Sequence, residues 1–330
     1  MREDRTPFVV LDANRQYWDR QRGPRVSRVV FRNDLTQKDA LTLCTTTEGR
    51  VDIVTQVSPE DASKVKGSLY ADLVNVNGNK VVAGVFNGFL TDIDFNDKRL
   101  RLALNLAVNR DKLVQEGFFG YADVVPALTP PWAFDFPGEL TPREYEPGQA
   151  RQLLVEAGWP AGRALELAAP KEFEHAAFVV GSQLQASLQI NVNVTVFSKE
   201  EEVKWRRIAA EKKLVPSWDI LLATTTALFL EGTPAFFHRE FFGADGAFRT
   251  GPENPEFDAL YKRMAAQTDQ VKLLEGAKEI DRYTFNEALG LFLCSPQDLY
   301  AVNKQVKFRP YRTTFELADT EVTPLHWSRR

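Results

Sequence analysis

The chain has 330 residues, of which 44% are hydrophobic and 26% charged, and its formal net charge is -4 at pH 7. This composition predicts a globular protein with a sizeable core and about two domains, and the acidic balance argues against a nucleic-acid-binding surface. No apolar run approaches about 18 residues, and the start "MREDRTPFVV" has no apolar targeting core. Neither a membrane span nor an export signal is therefore expected in the chain as written.

The first part of the chain predicts strands and short helices. "PFVVLDAN" and "RVSRVVFRND" are rich in Val and Phe and predict a β-hairpin. A helix, a strand around Val51 to Val54 and a second helix follow, and the second helix has Ser58 as its cap and Pro59 at its first position. "YADLVNVNGNKVVAGVFN" then predicts two further strands joined by an Asn-Gly turn, as in a hairpin.

The stretch "DKRLRLALNLAVNRDKLVQEG" predicts one amphipathic helix, capped by Asn96 or Asp97. Its apolar residues recur at three- and four-residue steps and form one stripe: Leu100, Ala103, Leu104, Ala107 and Val114. The opposite, polar face carries Lys98, Arg101, Asn105 and Lys112. The following "GFFGYADVVPALTPP" is too apolar for a solvated linker and too rich in Gly and Pro for a helix, so it predicts a fixed loop packed on another surface.

A short helix is predicted between Pro147 and Gly158, and three strands follow it. These strands are "ALELAAP", "INVNVTVFS" and "WDILLATTT", and a helical stretch separates each from the next. The βαβαβ order predicts a largely parallel sheet with helices on its faces, in which ligands bind beyond the carboxyl ends of the strands. The loop that leaves the third strand, "ALFLEGTPAFF", is therefore a candidate ligand segment.

The cysteines and histidines indicate neither a metal site nor a disulfide framework. Cys44 and Cys294 are far apart and are expected to be isolated buried thiols, and the three histidines are scattered. The chain also lacks a Gly-rich phosphate loop, a nucleophile elbow and a Ser-x-x-Lys set with matching partners. We therefore expect a binding function without cofactor or metal, and not an enzyme.

Several segments, in this order, resemble the extracellular solute-binding proteins of family 5, which serve peptide, dipeptide and nickel ABC transporters. "FVVLDANRQYWDRQRGPRVSRVVF" resembles the family's strand, Asn-x-x-Tyr-Trp turn and second strand, and "GRVDIV" resembles its Gly-Glu-Val-Asp-Ile. The segment from Asp97 to Leu113 is similar to Asp-x-Arg-Val-Arg-x-Ala-Leu-x-x-Ala-Ile-Asp-Arg-x-x-Ile, and that from Tyr145 to Gly158 to Tyr-x-Pro-x-x-Ala-x-x-Leu-Leu-x-x-Ala-Gly. The resemblance covers essentially all 330 residues.

The resemblance implies an α/β fold of the type II periplasmic-binding-protein kind, with two lobes. The βαβαβ pattern predicts that residues 88–288 form one compact α/β lobe, here the C-terminal lobe, and residues 1–87 and 289–330 are assigned to part of lobe one. The family is longer than this chain, and its signal peptide, its first strands and its small extra domain have no counterpart here. The first part of lobe one is therefore expected to be missing, as in an N-terminally truncated protein.

The function that the resemblance implies is that of a substrate-binding component of an ABC importer. It would hold a peptide-like or other small solute in a cleft between the lobes and deliver it to the permease subunits in the membrane. The location would be periplasmic or extracellular, with lipid or membrane association. The residues expected to reach the cleft are Asn87, Trp132, Phe229, Glu231 and Tyr300.

One departure from the family bears on the ligand. Peptide binders usually carry an Asp-Tyr-x-Asp-Pro type segment after the strand "WDILLAT", whereas Glu231 is the one acid in "ALFLEGTPAFF". A glutamate can pair with a ligand ammonium, but its longer side chain needs a different geometry. Two alternatives stay open, namely a cytoplasmic solute-sensing domain of a transcription factor and a non-functional fragment.

Overall fold

The computed structural model describes residues 8–19, 21, 23–90, 92–211, 213, 216–226, 235–250, 254–312 and 315–330. The strands are β1 Phe8–Asp12, β2 Arg28–Arg32, β3 Ile53–Val54, β4 Ala71–Val76, β5 Lys80–Phe86, β6 Ala122–Val124, β7 Leu165–Pro170, β8 Val192–Phe197, β9 Ile220–Thr226, β10 Gly290–Pro296, β11 Asp298–Asn303, β12 Val306–Lys307 and β13 Glu321–Val322. The helices are α1 Gln37–Thr46, α2 Ala62–Lys66, α3 Lys98–Leu106, α4 Arg110–Gly117, α5 Pro147–Glu156, α6 Glu174–Leu188, α7 Lys199–Ala210, α8 Phe236–Phe242, α9 Pro255–Ala265 and α10 Gln270–Asn286. Within these ranges, none of the helices combines the length and the apolar character that a membrane crossing requires.

The chain divides into two compact units. We call Met1–Gly78 with Gln297–Arg330 the small unit, and Asn79–Pro296 the large unit. The predicted boundaries, at 87/88 and 288/289, would place β5 and β10 in the small unit. In the structure β5 lies between β9 and β10 in one sheet, so both strands belong to the large unit.

The small unit contains a three-stranded sheet in the order β3-β11-β4 and two strand pairs, β1-β2 and β12-β13. The hairpin predicted for β1 and β2 is present, and Ser58 caps a 3₁₀ turn, Pro59–Asp61, that leads into α2. The hairpin predicted around Asn77 and Gly78 is wrong, because β4 pairs with β11 whereas β5 pairs with β9 and β10. The Asn-Gly turn is where the chain passes from one unit to the other.

The hairpin of the small unit leaves apolar side chains at the surface. Phe8, Val9, Val10 and Leu11 of β1 are between 44% and 52% exposed, and they alternate between the two faces of the strand. On one face the guanidinium of Arg32 lies 5.7 Å from the ring centroid of Phe8. A two-stranded ribbon with so little apolar burial depends on other contacts for its stability.

The large unit is built on a six-stranded sheet in the order β6-β10-β5-β9-β7-β8. The predicted βαβαβ unit is confirmed, since β7 pairs in parallel with both β8 and β9. The remaining neighbours are antiparallel, so the sheet as a whole is mixed. The alternation predicted for β8 is also present, with its valines half-buried and Asn193 and Thr195 exposed.

Helices cover both faces of this sheet. On one face, α3 to α6 pack over a core that includes Val82, Leu167 and Leu222. On the other face, Phe241 of α8 packs on Val81 and Val85, while α7 contributes Trp205. The strand β7 is thus buried between two helical layers, whereas β8, at the edge of the sheet, has one exposed face.

The helix predicted from Asp97 to Gly117 is two helices. It stops at Leu106, and α4 begins again at Arg110 with Asn109 as its cap, accepting from the amide of Lys112. Arg101 and Asn105, predicted to face solvent, are buried. Arg101 donates to the carbonyls of Glu287 and Ala288, and Asn105 donates to that of Gly290, because this side of α3 meets the turn before β10.

Candidate ligand-binding site

The carboxyl ends of the parallel strands mark the strongest candidate site in the large unit. After β7 the chain enters α6 on one face of the sheet, whereas after β8 it enters α7 on the other face. The connection from β9 leads through residues 227–234 to α8, which also lies on that other face. Adjacent strands whose connections leave to opposite faces open a crevice at their carboxyl ends, where α/β proteins bind ligands.

Thr225 is a polar group at this edge that sequence reasoning missed. It lies next to the last residue of β9, opposite Val81, and it is buried. Its Oγ1 has no hydrogen-bond partner among the described residues. Buried hydroxyls are usually paired, so this group is available to a ligand, a water or a neighbouring loop. In the sequence, the run of three threonines at the end of β9 could have indicated a polar group at this edge.

A second feature of this edge is an aromatic pair formed by Phe119 and His175. Phe119 follows α4 and His175 lies in the first turn of α6, and their rings stack with centroids 5.3 Å apart. Phe119 is 45% exposed, and its backbone φ of 54° is unfavourable for a residue with a large side chain. His175 Nε2 lies 2.8 Å from the carbonyl oxygen of Glu116, which fixes the ring. Sequence reasoning described this segment only as a packed loop.

The structure places Asn87 away from the carboxyl edge. Asn87 follows β5, which is antiparallel to β9, and its backbone amide donates to the carbonyl of Asp219 just before β9 begins. It therefore lies at the amino end of β9, and it is buried with only 1% of its surface exposed. The ligand role predicted for Asn87 is not supported by this position.

The other predicted residues of the large unit lie in two segments. Trp132 is half-buried in the irregular stretch between Pro131 and Pro137. Phe229 and Glu231 lie outside the described residues, so their predicted roles remain proposals.

Tyr300 lies in the small unit, on β11, and it is buried. Its ring contacts Phe308 at a centroid distance of 5.3 Å, and the series continues through Phe315 to Phe31 of β2. Burial, followed by the nearby Asp298 carboxylate, raises the pKa of the Tyr300 hydroxyl. These contacts give Tyr300 a packing role in its own unit.

The large unit is an α/β domain of the kind that binds ligands at the carboxyl edge of its sheet. In the part of the chain that the structure describes, no group of His, Cys, Asp and Glu side chains is placed to hold a metal ion. The chain belongs to the bacterial extracellular solute-binding proteins of family 5, whose model for the middle part of these proteins matches residues 3–225. The predicted family is thereby confirmed.

Curated relatives match a shorter part of the chain. The glutathione-binding protein GsiB of Pectobacterium atrosepticum is 36% identical over 108 residues, which are 32% of this chain and 21% of that protein. GsiB of Salmonella typhimurium is 34% identical over 107 residues, again 32% of this chain and 21% of the relative.

The fold is that of solved substrate-binding proteins, which confirms the predicted α/β class. The ABC transporter substrate binding protein CtaP from Listeria monocytogenes has a TM-score of 0.81 at 18% identity, over 96% of this chain and 64% of that one. The oligopeptide-binding protein AppA from Bacillus subtilis, solved with a nonapeptide, has a TM-score of 0.71 at 19% identity, over 98% and 65%. The chain therefore spans slightly less than two thirds of these proteins.

Proposed function

We propose that this chain is the ligand-binding part of a substrate-binding protein that serves an ABC importer. The ligand is a peptide-like or other small solute, and the partners are the permease subunits in the membrane. Membership of family 5 and the fold shared with CtaP support this proposal. The location proposed with it is extracellular or periplasmic, at the membrane surface.

The observation that carries the proposal is that the helices that follow β7, β8 and β9 lie on opposite faces of the sheet, the arrangement in which ligands bind at the carboxyl ends of the strands. Two features at this edge suit a small polar solute with an apolar part. The buried Thr225 hydroxyl offers a hydrogen bond, and the exposed Phe119–His175 pair offers a stacking surface. In the sequence, Phe229 and Glu231 follow Thr226, the last residue of β9.

The ligand class is tested by calorimetry with a small set of probes. These are reduced glutathione, which the GsiB relatives are named for, a dipeptide, a nonapeptide and a nickel–histidine complex. We expect at least one probe to bind and to raise the unfolding temperature, since a ligand of the folded state stabilises it. If none of the four binds to correctly folded protein, the peptide-like solute class is refuted.

The part played by Glu231 is tested with Glu231→Gln, which removes the charge and keeps the shape. For a ligand with a free amine, we expect a loss of about 1.5–3 kcal/mol in a site shielded from water. The same ligand with its amine blocked should bind both proteins equally. Equal affinity for free and blocked amines, unchanged by the substitution, would show that Glu231 does not bind a cation.

A further inference from the structure

The outer strand of the hairpin in the small unit has an open edge. β1 belongs to a sheet of two strands, so among the described residues only β2 lies beside it. From Phe8 to Leu11 the strand carries neither charge nor proline, and all four side chains are about half exposed. Proteins commonly protect an edge of this kind with charged residues, proline or a covering segment, because an open apolar edge pairs readily with another strand.

The register of the hairpin shows which backbone groups point to the open side. The backbone amide of Ala13 donates to the carbonyl of Ser27, in continuation of the register between β1 and β2. Hydrogen-bonded pairs alternate along an antiparallel ladder, so Phe8, Val10 and Asp12 direct their N–H and C=O groups away from β2. Within the part of the chain that the structure describes, these outward groups have no backbone hydrogen bond.

A second copy of β1 fits this edge about a two-fold axis at Val10. Antiparallel pairing of the two strands sets Val10 against Val10 of the other copy, and Phe8 against Asp12 in both directions. All three outward residues are then paired, with two hydrogen bonds for each pair, whereas registers shifted to either side pair fewer of them. On the other face Val9 meets Leu11. No like charges are set against each other in this register.

The charges of the hairpin favour β1 over β2 as the paired edge. The outward residues of β2 are Arg28, Val30 and Arg32, so a two-fold pairing at its edge would set Arg28 against Arg32. At the edge of β1, by contrast, Asp12 meets Phe8, and the Arg32 guanidinium lies 5.7 Å from the centroid of the Phe8 ring. A carboxylate of one copy thereby comes into the same row as a guanidinium of the other.

We propose that β1 is a self-association edge, through which two copies of this chain form a two-fold dimer with a four-stranded sheet in the order β2-β1-β1-β2. A two-stranded ribbon is marginally stable at best, whereas four strands with apolar side chains on their faces support one another. The outer edges of the joined sheet are the arginine-bearing edges of β2, so association stops at two copies. This inference is independent of the proposed ligand binding.

The association is tested by sedimentation velocity of the ligand-free chain over a series of concentrations. We expect a reversible equilibrium between a monomer of 37.3 kDa and a dimer of twice that mass. A monomer at every concentration would overturn the proposal and leave the edge to a different partner. Open-ended aggregation without a distinct dimer would overturn it as well.

A charge exchange at Val10 tests whether this residue faces its own counterpart. Val10→Lys sets two lysines against each other and Val10→Glu two glutamates, so each variant alone should dimerise about tenfold more weakly than the wild type. An equimolar mixture of the two should recover the dimer, because lysine then meets glutamate. Both variants should fold, since Val10 is exposed, and their unfolding temperatures check this. A mixture that stays as weak as its components would overturn the two-fold pairing.

The matched control is Val30→Lys, on the same face of the hairpin and directly opposite Val10 within one copy. In the dimer the two Val30 positions are three strand spacings apart, so the lysines do not meet and the Kd should change much less. An equal loss in Val30→Lys and Val10→Lys would show that the effect comes from added charge on the hairpin, and the proposal would fail.

Disulfide cross-linking tests the register. In the proposed dimer the Val10 positions form a hydrogen-bonded pair with Cα atoms about 5.5 Å apart, within the range of a disulfide, so Val10→Cys should form a covalent dimer under mild oxidation. The two Phe8 positions lie more than about 12 Å apart, so Phe8→Cys should cross-link far more slowly. The native thiols, Cys44 and Cys294, are buried. Equal rates for the two variants would overturn the register at Val10.

Discussion

The side-chain amide of Asn87 donates a hydrogen bond to the carbonyl oxygen of Trp218 at 2.8 Å and a longer one to that of Pro216 at 3.4 Å. Its Oδ1 accepts from the backbone amide of Phe89 at 3.1 Å. Both ends of the amide are thus occupied inside the large unit. Asn87 ties the end of β5 to the chain that enters β9, which is a structural role.

The first prediction follows from this arrangement. Asn87→Asp replaces the donor that faces two carbonyl oxygens by a carboxylate oxygen, so a repulsive contact takes the place of a hydrogen bond. We expect the free energy of unfolding of ligand-free protein to fall by about 1–3 kcal/mol, the cost of leaving a buried polar group without a partner. Urea denaturation measures it, and Asn191→Asp at an exposed position is the control. Equal losses in both variants would contradict the structural role.

The second prediction concerns Asp219, which is 1% exposed in its side chain and accepts from Arg163 Nη2 and from the Glu166 amide, each at 2.7 Å. Asp219→Ala leaves the guanidinium without this partner, and we expect a loss of about 3–5 kcal/mol. Asp92 pairs with the same arginine but is 54% exposed, so Asp92→Ala should cost only about 0–1 kcal/mol. Chemical denaturation of both variants checks this difference, and similar losses would contradict it.

The elements that were predicted correctly are those with local signals. The helix α5 begins at Pro147, and Gly158, with a φ of 76°, follows its end, as the Pro and Gly positions indicated. The alternation of valines with polar residues in β8 and the order of the three parallel strands could also be predicted, because each depends on residue order within a short stretch.

The errors arose where distant segments decide the outcome. Arg101 and Asn105 lie on the polar face of α3 by sequence, yet they are buried because carbonyls of the turn before β10 accept their hydrogen bonds. The strands β4 and β5 fit a hairpin by sequence, but each pairs with a strand more than 100 residues away. A pattern read from a short stretch of sequence does not show which distant strand or carbonyl group a residue will contact.

The candidate site shows the same limit. Its position at the carboxyl edge was inferred from the strand and helix order, and the parallel pairing of β7 with β8 and β9, on which that inference depends, is present. Asn87 was assigned from its place in a resemblance, and Thr225 and the Phe119–His175 pair were not found. Their significance depends on which hydroxyl lacks a partner and which rings meet, and residue order does not contain this information.

The third prediction uses two glycines in helices of the large unit. A Cβ at Gly181 of α6 would lie 2.7 Å from Val194 Cγ2 on β8, so Gly181→Ala should destabilise by about 1–3 kcal/mol. A Cβ at Gly148 of α5 would meet no atom within 4 Å, so Gly148→Ala should stabilise by up to about 1 kcal/mol. Thermal unfolding of the two variants should therefore shift in opposite directions. A stabilised Gly181→Ala would show that α6 does not pack on β8 as closely as described, and a destabilised Gly148→Ala would contradict the open space beside that position.

The fourth prediction concerns the two thiols, which lie one in each unit. Both are free and buried. Burial, with a smaller effect from the Asp52 carboxylate, raises the pKa of Cys44 to about 12, and burial also raises that of Cys294. The thiolate is the form that alkylating reagents attack, so both residues should resist iodoacetamide at pH 8 in the folded protein.

Each thiol should become reactive only when its own unit opens. Cys44 packs in the small unit, where its sulfur lies 3.7 Å from the Ala301 carbonyl oxygen, and Cys294 lies in the central sheet of the large unit. Pulsed alkylation across a urea series, read by mass spectrometry of the two peptides, therefore gives a separate unfolding curve for each unit. Because the small unit has an exposed hairpin and fewer buried apolar side chains, we expect Cys44 to be labelled at lower urea than Cys294. Labelling of Cys44 in the folded protein at the rate of a free thiol would contradict its burial, and labelling of Cys294 first would contradict the expected order of stability.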